Sequence, residues 1–287
     1  MERTDRRRIF NETVDIVNAM DYESPKGEIV ELNLSDTVEK DTEFISSRVK
    51  VDYDKVHRLP MQILVVNQDC LEIANSLVRE GYKTAVLNMA SFSMPCGGVL
   101  GGSAAQEENI SRRTDLFRSL YMFHEIGKDF GIPQRKERYP LDFRYGAIYT
   151  PNVTVFRHGE DKEYELMEKP FRIDVITASA IKGPRLTADG HIHENDAKVI
   201  KTKIAQILDL GLIYRDDALV LGAFGCGAYR TPPREMARLF KEVLSEERYH
   251  DAFAKVVFAI LDDHNTRKEH NPEGNFKPFM ETFYDEA

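Results

Sequence analysis

The chain has 287 residues, 42% of them hydrophobic and 30% charged, with a formal net charge of −9 at pH 7. That composition predicts a soluble globular protein with length enough for a large core, and no apolar run reaches the length of a membrane span, so no membrane partner is expected. The acidic balance argues against direct nucleic-acid binding, and any anionic ligand must be held by local donors against the overall field.

The spacing of Ile9, Val14, Val17 and Met20 predicts a helix over 3–20, broken at Ser24-Pro25-Lys26-Gly27 and followed by a short strand at 28–32. These elements read as an N-terminal extension, 1–50, packed on a core of 51–287. Within the core, strand and helix signals alternate. Residues 62–67 are apolar and β-branched, 71–80 read as a helix closed by Gly81, and 84–88 as a second buried strand. A glycine-rich loop around Cys96, Gly97, Gly98, Gly101 and Gly102 leads into a single helix over 105–126. A charged, turn-rich surface insertion spans 127–145. Strand character resumes at 146–149 and 153–156 around Pro151, then 158–169 reads as a solvated connection and 173–178 as another strand. A helix over 195–210 ends at Gly211, and 218–224 is a further strand. The loop Gly225-Cys226-Gly227-Ala228-Tyr229 opens a helix with Thr231 as N-cap. Residues 256–260 form the last core strand, and Phe276, Phe279 and Phe283 form a patch that can dock on the core.

This order implies a three-layer α/β/α sandwich with a mixed, largely parallel sheet and an N-terminal helical extension. In such sheets ligands gather at the carboxyl ends of the strands. Both glycine-rich loops directly follow apolar strands, so both emerge on one edge and share a cleft. Successive small residues at 225–228 can turn their N–H groups toward one point as a phosphate nest, although tight packing alone also uses such turns. Glu107 and Glu108 fall at a helix start, where acidic residues stabilise by about 0.3–1 kcal/mol each. Two adjacent carboxylates beside a loop suited to an anion repel one another and the ligand, an arrangement that function explains better than helix stability does.

Three cysteines, Cys70, Cys96 and Cys226, cannot all pair and form no CxxC. The basic start, Arg6-Arg7-Arg8, lacks an apolar signal core, so a cytoplasmic location is expected. Cys226 lies among glycines with no adjoining histidine and reads as a small loop filler rather than a nucleophile. His191 and His193 read as a solvated pair before a helix, and no metal or cofactor is expected.

The sequence resembles the bacterial-type poly(ADP-ribose) glycohydrolases, whose macrodomain core bears a glycine triplet followed by Gln-Glu-Glu. Gly97-Gly98 and Gln106-Glu107-Glu108 carry the likeness, with Val86-Leu87-Asn88-Met89-Ala90-Ser91 before them and Ser111-Arg112-Arg113 after. It continues through 148–153 and 155–157, and returns at 220–229 and at Phe10-Asn11-Glu12-Thr13. The resemblance implies a macrodomain-like fold and hydrolysis of the ribose–ribose O-glycosidic bond of poly(ADP-ribose). Glu108 would protonate the leaving group and then activate water. Glu107 would orient ribose hydroxyls, and Gln106 would position the loop or substrate. Gly97 and Gly98 would let backbone N–H groups meet the ligand. Gly225, Cys226, Gly227 and Ala228 would cradle the diphosphate, and Tyr229 would cover the distal ribose. Asn88 would contact ribose or cap its strand. Because Glu107 and an incoming diphosphate both oppose a second negative charge, Glu108 is expected to become a proton donor mainly with substrate bound. ADP-ribose, its polymer and ADP-ribosylated proteins are the implied partners. The alternatives are a reader that binds ADP-ribose without cleaving it and a hydrolase of mono-ADP-ribosylated targets. Cys96 stands where the family has the first glycine of its triplet, and 178–184 also departs from the family's run.

Overall fold

Seven strands form the main sheet of the computed structural model, which describes residues 1–262 and 268–284. A small hairpin of β1 (Asp21–Glu23) and β2 (Ile29–Glu31) precedes it. The main-sheet strands are β3 (Glu43–Ile45), β4 (Gln62–Val66), β5 (Thr84–Met89), β6 (Ala147–Arg157), β7 (Leu166–Ala178), β8 (Ala218–Leu221) and β9 (Lys255–Ala259). Their order is β3-β6-β7-β5-β8-β9-β4. The pairings from β7 through β5, β8 and β9 to β4 are parallel, while β3–β6 and β6–β7 are antiparallel, so the sheet is mixed and mostly parallel as expected.

The helices are α1 (Arg3–Ala19), α2 (Thr37–Lys40), α3 (Cys70–Arg79), α4 (Gln106–Arg113), α5 (Phe117–Leu120), α6 (Glu194–Ile213), α7 (Pro233–Leu244) and α8 (Phe276–Tyr284). Successive strand side chains enter opposite layers, which is why the central strands are apolar on both faces. Val86 and Val220 pack with Phe10 of α1, Leu71 of α3 and Ile110 of α4, whereas Leu87 and Leu219 pack with Ile204 of α6, Phe240 of α7 and Phe279 of α8. The docking patch at the C-terminus is thus α8, with Phe279 buried and Phe258 4.8 Å from Phe283 between ring centroids. Among the described residues no helix is long and apolar enough to cross a membrane.

Several elements depart from the sequence reading. The helix expected over 105–126 breaks after Arg113. Thr114 is extended (φ −141°, ψ 168°) and bridges to Val155, so β6 captures the chain, which resumes as α5 and 3-10 turns. The expected insertion at 127–145 buries Tyr139 and Leu141. The two strand segments around Pro151 are one strand with an irregularity, where Asn152 takes φ +56° and donates its N–H to Asp174. The solvated connection ends early, because β7 pairs with β6 from Leu166 opposite Arg157. Helix α6 runs through Gly211 to Ile213. That glycine admits Leu219 and Phe253, which a Cβ would meet at 2.9 and 3.1 Å, and is not a cap. Thr231 is not an N-cap either, since α7 begins at Pro233 and the Thr231 N–H closes the preceding loop onto the Gly225 carbonyl at 3.0 Å.

At the amino ends of β5 and β8, away from the loops that follow those strands, a polar cluster staples the sheet. The Tyr149 hydroxyl donates to Asp174 Oδ2 at 2.7 Å and lies 3.1 Å from Asp216 Oδ2, and its ring stacks on Tyr214 at 3.5 Å. Lys83 Nζ lies 2.9 Å from Asp174 and 3.3 Å from Asp216. Burial, and then the Asp174 charge, push the Asp216 carboxyl well above its ordinary value.

Candidate active site

The loop between β5 and α4 is shaped by left-handed residues, Cys96 (φ +60°) and Gly97 (φ +55°) among them. At Gly97 the requirement is also steric, since a Cβ would sit 2.5 Å from Glu108 Oε1 and 2.9 Å from Glu107 Oε2. Cys96 adopts the backbone of a glycine despite its side chain, at a cost of roughly 1–2 kcal/mol. Its thiol is fully buried in the apolar layer beside α4, and burial pushes it above its ordinary value. The Cys96 side chain is therefore packed in the core layer and not among the residues that line the cleft.

Helix α4 is tied at both ends. Gln106 accepts the Met89 N–H at 2.9 Å and donates to the Leu87 carbonyl at 2.7 Å, which fixes the first turn to the end of β5. Arg113, fully buried, donates to Asp69 Oδ1 at 2.7 Å and to the Arg157 carbonyl at 3.1 Å. Asp69 in turn caps α3 through the N–H groups of Leu71 and Glu72.

Held this way, the two glutamates differ. Glu107 is 3% exposed, and its Oε2 accepts the Ser91 N–H at 2.6 Å; Glu108 is 7% exposed, and its Oε1 accepts the Gly98 N–H at 2.7 Å. Glu107 Oε1 and Glu108 Oε2 are buried without a partner. Burial drives the Glu107 carboxyl well above its usual range; the Glu108 charge adds to this, while the hydrogen bond from the Ser91 N–H and the nearby polar groups of Asn88 and Cys96 oppose it. Asn88 is fully buried and donates to Thr177 Oγ1 at 3.2 Å, which ties the end of β5 to β7.

The loop after β8 is built differently. Gly225 (φ +75°) lets the chain pass Ala180, whose Cβ would lie 2.8 Å from an added one. The Cys226 N–H is spent on the Ala223 carbonyl at 3.0 Å, and its buried thiol, pushed above its ordinary value by burial, faces the Phe224 carbonyl. The N–H groups of Gly225, Gly227 and Ala228 take no acceptor among the described residues. Tyr229 spans the two loops, its hydroxyl accepting the Phe92 N–H at 2.8 Å.

Both loops line one cleft of about 680 Å³. Gly97, Gly98, Gln106, Glu107 and Glu108 meet Gly225, Gly227, Ala228 and Tyr229 there, over an apolar wall of Met89, Phe224, Ile260 and Leu261, with Asp69 at one end. Asn88 and Cys226 lie behind this surface. Sequence reasoning missed Ser91, Asp69 and Leu261; each lies just beyond the carboxyl end of a parallel strand, the position from which it could have been found. His193 caps α6 and His191 pairs with Glu235 at 3.0 Å, and among the described residues no group of three or more His, Cys, Asp or Glu is placed to hold a metal.

Residues 11–158 match the family described as microbial-type PARG, catalytic domain. Poly(ADP-ribose) glycohydrolase from Thermomonospora curvata superposes with a TM-score of 0.74 at 28% identity, over 97% of this chain and 99% of that one. The same enzyme bound to the inhibitor ADP-HPD gives 0.72 at 28% identity, over 96% and 97%. Poly(ADP-ribose) glycohydrolase from Deinococcus radiodurans in complex with ADP-ribose gives 0.60 at 25% identity, over 80% of this chain and 87% of that one. No curated protein matches the sequence.

Proposed function

The chain belongs to the microbial-type poly(ADP-ribose) glycohydrolase family, and on that premise we propose how its cleft cuts the ribose–ribose O-glycosidic bond to release ADP-ribose. Such a cut needs a proton for the departing oxygen, relief of an oxocarbenium-like charge and an activated water. Glu108 supplies the proton and then takes one from water. Its Oε1 is anchored by Gly98, and the unpartnered Oε2 is the atom that meets the glycosidic oxygen. Glu107, anchored by Ser91, uses its free oxygen to orient ribose hydroxyls. Kept toward its neutral form by burial, it also repels the incoming diphosphate less. The open N–H groups of Gly225, Gly227 and Ala228 grip that diphosphate. Cys226 contributes the shape of the turn rather than a donor, and Tyr229 closes over the distal ribose.

The observation that carries this reading is the meeting of two buried carboxylates, each with an unsatisfied oxygen, and a row of open amides in one cleft. The test is incubation of the purified protein with labelled poly(ADP-ribose). Free ADP-ribose should appear, and Glu108→Gln should abolish its release while retaining ADP-ribose binding. A wild-type protein that binds the polymer and leaves it intact would refute the assignment. The same reading makes ADP-ribosylated proteins the source of substrate and treats 1–50 as an extension that docks α1 on the catalytic core and adds β3 to the edge of its sheet. It also locates the enzyme in the cytoplasm, consistent with three buried, unpaired thiols.

A further inference from the structure

The cations at the lip of the cleft are not explained by the chemistry inside it. Most arginine and lysine side chains on this acidic chain are engaged in ion pairs or hydrogen bonds; Arg230 and Lys182 are among the exposed ones whose side chains make neither among the described residues. They come from different elements, the loop after β8 and the loop after β7. The two loops are pinned together by the Gly183 N–H, which donates to the Tyr229 carbonyl at 2.7 Å, so each cation is one residue from that bond. Arg230 also donates its backbone N–H to the Gly227 carbonyl at 3.1 Å, which sets it directly after the Gly225, Gly227, Ala228 and Tyr229 stretch that lines the cleft. Its backbone is left-handed (φ +60°), a conformation in which glycine would be unstrained. A long cationic side chain is therefore carried at a strained, exposed position beside an anion-binding turn.

We propose that Arg230 and Lys182 form a second, outer anion subsite, which takes the diphosphate of an adjoining ADP-ribose unit of the polymer rather than that of the unit seated in the cleft. This rests on the functional reading above. The seated unit's diphosphate is served by backbone N–H groups inside the cleft, whereas a polymer leaving it must cross the lip as a flexible polyanion. Two unpaired cations there give a local attraction that a net charge of −9 otherwise denies. Because both side chains are solvated, the attraction is screened by salt.

The experiment measures binding of ADP-ribose and of long poly(ADP-ribose) to the full chain carrying Glu108→Gln, so that hydrolysis does not intrude. Arg230→Gly keeps the left-handed turn without strain, and Lys182→Gln removes the second charge. The double variant should weaken polymer binding about fivefold at low salt and lower the slope of log affinity against log salt by about 1.4, at roughly 0.7 per cation removed. ADP-ribose affinity should be unchanged, and Arg230→Lys should retain most of the polymer affinity. A parallel loss for ADP-ribose would overturn the proposal by assigning the cations to the seated unit, and an unchanged polymer affinity would overturn it outright. Failure of the wild-type protein to release ADP-ribose sinks the functional reading instead, and is scored separately from these affinities.

Discussion

Two buried carboxylate pairs lie at opposite ends of the same strands and are treated in opposite ways. At the amino ends, Asp174 and Asp216 are served by the Tyr149 hydroxyl and by Lys83. At the carboxyl ends, Glu107 and Glu108 receive one backbone N–H each and have no cation in contact, and one oxygen of each is left bare. A structural pair is satisfied by its own fold, because an unpaired buried charge is costly. The pair at the cleft is left incomplete, which is what a site that completes its hydrogen bonding with substrate requires.

The largest effects should separate the two ends by kind. Glu108→Gln should lower ADP-ribose release by about 10²–10⁴-fold without lowering the unfolding midpoint, because the amide has the same shape and its oxygen still accepts the Gly98 N–H. A clear fall in the midpoint would mean that this pair, too, is structural. Gly97→Ala comes next. The added Cβ would overlap Glu108 Oε1 and sit at φ +55°, so displacement of the carboxylate by about 1 Å should cost on the order of 10²-fold in kcat as well as some stability. Retention of wild-type kcat would show that the position of Glu108 is not critical.

At the other end the signs reverse. Tyr149→Phe strips the hydroxyl from two buried aspartates and should reduce unfolding free energy by about 1–3 kcal/mol, with specific activity unchanged well below the transition. Denaturant titration and a polymer-cleavage assay on the same preparation read both quantities, and lost activity in a folded protein would contradict the division between the two ends.

The cleft half of this division was legible in the sequence, for identifiable reasons. The runs Thr84–Met89 and Ala218–Leu221 are apolar on both faces, so their place in the middle of a covered parallel sheet followed, and with it a shared edge for the two glycine loops. The Gln-Glu-Glu run gave the carboxylates. Sequence could not reveal which donors the loops consume internally. The Cys226 N–H is spent in its own turn while that of Gly227 is open, a difference of backbone direction and not of residue type. Long-range competition was equally hidden. Thr114 has the neighbours of a helical residue, yet β6 takes it as a bridge partner and ends α4 one turn past the glutamates. The structural pair was missed altogether, because Lys83, Tyr149, Asp174 and Asp216 carry no shared motif and meet only through topology.

The smallest effect is a slope of stability against pH, and it sharpens the comparison because both ends contain a carboxyl pushed upward by burial, Glu107 at one and Asp216 at the other. A carboxyl whose folded value exceeds its unfolded value, about 4.3 for Glu and 3.9 for Asp, binds more protons in the folded state. The stability it contributes is full below the unfolded value and is lost as pH rises through the folded one. Glu107→Gln and Asp216→Asn replace the neutral acid by a neutral isostere that cannot titrate, so each should remove a slope of at most about 1.4 kcal/mol per pH unit. Relative to wild type, each variant should gain stability as pH is raised from 4 toward 8. The gain should be larger for Glu107→Gln, because an ionised Asp216 still has Lys83 at 3.3 Å whereas an ionised Glu107 faces another carboxylate. Urea unfolding across that range measures both differences. If Glu107→Gln runs parallel to wild type, Glu107 is not held toward its neutral form and its ease beside an anionic substrate needs another source. If Asp216→Asn gains more than Glu107→Gln, the cation at the amino ends does not offset burial as its distance implies.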